Sequence, residues 1–131
     1  MRERKKLRTR DALAAAALRL SAERGFEGVT VDEITAAADV SRRTFFRYYA
    51  TKEAALFPHY ARRLARFRVE LAAAPAGEAP FATVERAFVA IAGVYMRERG
   101  EIVAQQRVID ASPALIAYER TLDRDWERAV A

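Results

Sequence analysis

An all-α fold is predicted by three features of the 131-residue sequence. Apolar residues recur at spacings of three and four along most of the chain. No segment sustains the two-residue alternation of a half-buried strand. Between Ala36 and Leu56 a small-residue helix runs into a tight turn at Asp39-Val40, and Ser41 then opens a short second helix. Arg42, Arg43, Thr44 and Arg47 fall on the accessible sides of that helix, and Phe45 and Tyr49 one turn apart on the other. This is how a helix-turn-helix presents a recognition helix to the DNA major groove.

The first helix is expected from about Arg8 to Arg24, with Leu13, Ala17 and Leu20 as its apolar stripe. Gly25 suits the left-handed position just past its end. Thr30-Val31-Asp32-Glu33 fits a capping box, with Glu33 reaching back to the backbone of the cap. Ser41 caps the third helix, which extends to about Tyr49. Thr51 caps a fourth helix carrying Leu56, Tyr60, Leu64, Phe67 and Leu71, and Pro58 must kink it or shift its start. Pro75, Gly77 and Pro80 mark a connection. Pro80 opens a fifth helix, expected to be central and largely buried, which Gly100 ends. A sixth helix runs from Glu101 to Ala111, and Ser112-Pro113 opens a seventh.

Charge is unevenly placed. Residues 1–52 hold 12 Lys and Arg against 7 Asp and Glu, and residues 53–131 hold 11 of each. The whole net charge of +5 therefore lies beside the helix-turn-helix pattern. A basic excess confined to one module is the footprint of a polyanion partner. Three arginines alone would make only a solvated face. The Ser41 cap, the aromatic anchors and the local charge together favour DNA.

Arg42, Arg43, Thr44 and Arg47 are the expected base readers, because a guanidinium matches guanine O6 and N7 together. Tyr48, Lys52 and the Thr30 and Ser41 positions at the helix starts are placed to meet phosphates. A basic arm before the first helix would add backbone or minor-groove contacts.

Other chemistry is poorly served. The chain has no Cys and one His, His59, so neither a Cys nucleophile nor a zinc site is expected. No Gly-rich phosphate loop follows a strand pattern. The protein reads as a non-enzyme with no cofactor. Asp11 precedes and Arg19 ends the early Ala-rich run, which argues against a signal peptide. The run Ala87–Met96 is too short to span a bilayer. A cytoplasmic location with no membrane partner is expected.

From Thr9 to Phe57, 49 of 131 residues, the chain resembles the DNA-binding domain of the TetR (tetracycline repressor) family. The segments AALRLSAERGFEGVTVDEIT and AAADVSRRTFFRYYATKEAAL carry the likeness. Asp39 stands where the family often has Gly, and Phe46 where it often has a phosphate-touching Tyr; Tyr48 is placed to take over that contact. The resemblance implies a transcriptional regulator, usually a repressor. It would act as a homodimer on a palindromic operator and be released by a small-molecule effector. It implies a DNA-binding domain over residues 1–50 and an effector domain over 51–131. Relative to the family's usual length, the dimer helices are missing and the second domain reads as truncated. Tyr60, Phe67, Phe88, Ile91, Tyr95 and Trp126 are the candidate pocket residues, with Arg107 or Asp110 as polar anchors. The alternative is a helical protein–protein interaction module that does not read DNA.

Overall fold

The computed structural model describes residues 2–130. Seven α-helices occur among them: α1 (Arg2–Arg24), α2 (Val31–Ala38), α3 (Arg42–Tyr48), α4 (Tyr60–Ala72), α5 (Pro80–Arg97), α6 (Arg99–Asp110) and α7 (Pro113–Val130). Short 3-10 turns lie at Phe26–Gly28 and Glu53–Leu56, and no strand occurs among the described residues.

Local chemistry sets most boundaries. The α1 helix ends before Gly25, whose φ of 81° strains a side chain but not glycine. Thr30 caps α2 by accepting the Glu33 N–H at 3.1 Å. The reciprocal half differs from the expected box. Glu33 accepts the Thr30 hydroxyl at 3.1 Å and pairs with Arg24. Desolvation pushes the Glu33 carboxyl up, but its hydrogen bonds from Arg24 and Thr30 outweigh this and hold it below the ordinary value. Asp39 closes α2 in the left-handed region, φ 55° and ψ 48°, and Val40 N–H returns to Thr35 O at 3.0 Å.

Three expectations are corrected, and a fourth is decided between its two alternatives. The basic stretch before Arg8 is helical, not an arm, because Arg, Lys and Leu are strong helix formers and extend α1 to Arg2. At Pro58 the second of the two expected outcomes is found: the start of α4 is shifted, and no continuous helix is kinked. Thr51 Oγ1 accepts the Ala54 N–H at 3.2 Å, the turn ends at Leu56, and α4 begins only at Tyr60. Gly100 does not end α5; it lies in the first turn of α6. The α5 helix is not largely buried. Ala87 and Ile91 face inward, but Phe81, Val89 and Met96 are 79%, 67% and 69% exposed.

Two apolar clusters organise the chain. The larger joins Leu13, Ala17 and Leu20 of α1, Ile34 of α2 and Phe45 of α3 to Leu56, to Val108 and Ile109 of α6, and to Leu115 of α7. The core of the helix-turn-helix thus extends into α6 and α7. The smaller joins Phe67 of α4 to Ala87 and Ile91 of α5, with Leu71 and Trp126 against it. The α7 helix contributes to both.

A polar contact reinforces the first junction. Ser112, 1% exposed, caps α7 by accepting the Leu115 N–H at 3.2 Å. Its hydroxyl donates to Glu27 Oε1 at 2.6 Å, 85 residues away in sequence. That bond, and then the backbone, hold the Glu27 carboxyl below its ordinary 4.5. A carboxyl lowered on folding stabilises above its unfolded pKa, and the contribution is lost as pH falls through the folded value. Ser112→Ala should therefore lower stability by about 1 kcal/mol at neutral pH through the lost cap. It should also shrink the loss of melting temperature below pH 4.5. Thermal melts of both chains across that range check the two outcomes together.

Candidate nucleic-acid interface

The α3 helix is anchored from behind and charged in front. Phe45 is fully buried, and Tyr49 is 3% exposed. Their ring centroids lie 5.7 Å apart. Tyr49 donates its hydroxyl to Arg10 O at 3.0 Å, fixing the end of α3 to α1. Burial raises the Tyr49 phenol above its ordinary value. Burying a ring such as Phe45 contributes about 1.5–3 kcal/mol, enough to hold a seven-residue helix unstable by itself.

The outward side sorts the expected readers. Arg43 and Arg47 are exposed, and among the described residues neither forms an ion pair or side-chain hydrogen bond. Arg42 is also outside, but it is already engaged. Its Nη1 donates to Asp32 Oδ1 at 3.1 Å, and its guanidinium lies 5.4 Å from the Phe46 ring centre. An exposed pair of this kind is worth at most about 1 kcal/mol, so a phosphate or base could compete for Arg42.

Thr30 and Ser41 serve the backbone first, and the Thr44 hydroxyl meets that of Ser41. Ser41 Oγ accepts the Thr44 N–H at 3.1 Å and lies 2.9 Å from the Thr44 hydroxyl. The hydroxyls of Ser41 and Thr30 are thus spent on capping, and Thr44 is half-buried. Tyr48 is half-buried and packs at the edge of the core.

Lys52 departs most from expectation. Its ammonium turns inward and donates to Val29 O at 2.8 Å and Phe26 O at 3.1 Å. It also lies 4.0 Å from the Phe26 ring centre. Lys52 therefore ties the α1–α2 connection to the segment after α3; it does not reach out for phosphate. Phe26 and Val29 are too far away in sequence for any spacing rule to pair with it. Sequence reasoning also missed Arg10, which it placed near the start of the first helix with no contact assigned. Its Nη2 donates to Pro58 O at 3.0 Å, helping to fix the break before α4.

The expected pocket residues are only partly gathered. Phe88, Ile91, Tyr95 and Trp126 line a cavity of about 580 Å³ between α5 and α7. Tyr60, Tyr95 and Trp126 line an adjoining one of about 160 Å³. Phe67 lies beneath them, fully buried, with its ring 4.9 Å from Trp126 and 4.8 Å from Phe88. Arg107 is elsewhere, lining a third cavity between α1 and α6 with Ser21 and Phe26. It follows Gln105 of the second cavity by two residues, about 200° round the helix. Asp110 is exposed and accepts from Gln106 at 2.8 Å. Neither anchors the α5–α7 site. Among the described residues no cluster of His, Asp and Glu is suited to a metal ion, and no helix is long and apolar enough to cross a membrane.

The inward Lys52 leads to a direct contrast with Arg43. Lys52→Ala should destabilise the fold by about 1–3 kcal/mol through two lost charge-assisted bonds. Arg43→Ala should leave the unfolding free energy within about 0.5 kcal/mol of the parent's, as exposed substitutions do. Denaturant titration of the two variants checks both.

Residues 13–57 match the model of the bacterial regulatory proteins of the tetR family. TcmR, an HTH-type transcriptional regulator of Streptomyces glaucescens, is 36% identical over 139 aligned positions, covering 100% of this chain and 61% of TcmR. MftR of Mycobacterium tuberculosis, a transcriptional regulator by name, is 32% identical over 88% of this chain and 58% of its own length. The chain thus spans about three-fifths of the curated relatives it matches. The crystal structure of a TetR family transcription regulator from Marinobacter aquaeolei shares the fold, with a TM-score of 0.54 and 22% identity over 99% of this chain and 70% of that one. The matched segment coincides with the helix-turn-helix built on Phe45, and the chain belongs to the tetR family of bacterial regulatory proteins.

Proposed function

We propose that the protein is a DNA-binding transcriptional regulator that reads duplex DNA with α3, and that a small molecule bound between α4, α5 and α7 releases it. The observation that carries the DNA reading is the pair of exposed guanidinium groups, Arg43 and Arg47, on a helix whose opposite face is fully buried. Such a helix can enter the major groove without rearranging, and a forked donor can discriminate a guanine by about 1–3 kcal/mol. The localised charge of residues 1–52 supports the same reading, as does the regulator role in the names of TcmR and MftR.

The regulator acts as a homodimer on a palindromic operator. Two recognition helices then sit about 34–36 Å apart, one turn of DNA. A ligand that prefers a different spacing lowers DNA affinity by the ratio of its affinities for the two arrangements. The α7 helix is placed to carry that preference, since Trp126 borders the cavity and Leu115 belongs to the core beneath α3. The protein acts in the cytoplasm, where the DNA is.

DNA affinity should fall steeply with salt, log K declining in proportion to the number of phosphates neutralised. Arg43→Ala should relax base preference while keeping most of that slope. Fluorescence anisotropy of duplexes selected from a random pool, repeated at several salt concentrations, measures both. Salt-insensitive binding, or no selected motif, would instead favour a helical protein–protein interaction module.

A further inference from the structure

The α5–α7 cavity has a charge character as well as an apolar one. Glu119, Asp123 and Trp126 stand at i, i+4 and i+7 on α7 and therefore share one face. Asp123 borders both the larger and the smaller cavity, and Glu119 borders the smaller. Among the described residues neither carboxylate has a hydrogen-bond or ion-pair partner. The cation in the lining is Arg63, which is already committed. It pairs with Glu98, and its guanidinium lies 4.6 Å from the Tyr95 ring centre.

Aromatic faces complete the site. Phe88 and Trp126 have near-parallel planes, 17° apart, and both border the larger cavity with Tyr95. Aromatic faces attract a cation through the negative charge of their π systems. A carboxylate beside them adds Coulomb attraction, screened less for the half-buried Glu119 than for the exposed Asp123. An anion would meet repulsion from both sources. The cavity of about 580 Å³ falls in the range of drug-sized sites, roughly 300–1,000 Å³.

We infer that the α5–α7 cavity selects lipophilic cations, the ligand's positive charge being held by Asp123 and Glu119 and its apolar body by Phe88, Tyr95 and Trp126. The inference rests on reading this cavity as the effector site and names the chemical class of the effector. The charge of the whole chain, +5, acts in the opposite sense and would draw anions. A preference for cations would therefore report the local site.

Tetraphenylphosphonium and tetraphenylborate make the test, being alike in size and shape and opposite in charge. Trp126 is the only tryptophan of the chain and supplies the signal. Titration of the 131-residue protein should quench its fluorescence with the phosphonium, binding about tenfold tighter than the borate. The double variant D123N/E119Q should lose most of that preference while melting at the parent temperature, since neither carboxylate holds the fold. Equal or tighter borate binding, an unchanged preference in the double variant, or no quenching by either ion overturns the inference. DNA binding measured on the same preparations without probe tells the failures apart, because a salt-steep DNA reader with no cation preference has lost only its ligand class.

Discussion

The burial of Phe45 is the constraint on which the rest depends. A seven-residue helix does not persist in water by itself. Here one ring, fully buried in a core that also takes side chains from α1, α2, α6 and α7, holds it in register. Because that side is fixed, Arg43 and Arg47 are fixed on the opposite one. Tyr49 secures the trailing end through Arg10 O, and Ser41 the leading end through the Thr44 N–H. The proposed recognition surface is thus preformed, which would limit the ordering entropy that binding DNA must overcome.

The same core couples the two halves of the chain. Val108, Ile109 and Leu115 lie beneath the helix-turn-helix, so α6 and α7 cannot shift without disturbing its support. Two polar ties cross the same region. Ser112 donates to Glu27, and Lys52 donates to Phe26 O and Val29 O, all within the α1–α2 connection. At its other end α7 carries Trp126, packed on Phe67 of the second cluster. One rigid helix therefore touches both the cavity and the platform of α3. Interior packing is dense enough to transmit such displacements.

How much of this was legible in the sequence follows from the range of each interaction. Caps act over three residues, so Thr30, Ser41 and Ser112 were readable directly, as was the left-handed turn at Asp39. The inward placement of Phe45 and Tyr49 followed from helical periodicity. Lys52 was not readable. A long flexible side chain can turn toward solvent or toward carbonyls, and only the tertiary fold brings Phe26 O and Val29 O within reach. Arg42 was half readable, since its pairing with Asp32 depends on the crossing of α2 and α3. The pocket was the least legible part. An apolar stripe marks the inner face of a helix, but not which outer positions a neighbour will cover. Phe88 and Tyr95 therefore proved a little under half exposed, and Arg107 faced α1.

The central claim is that α3 meets DNA with its outer face while its inner face stays closed. An NMR titration of isotopically labelled protein with a selected duplex tests this residue by residue. The account predicts shifts at Thr30, across Arg42–Tyr48 and at the Arg43 and Arg47 side chains. It also predicts an unchanged Phe45 ring and no response along the exposed face of α5. Shifts confined to α5 and α7, with the α3 resonances unmoved, would contradict it.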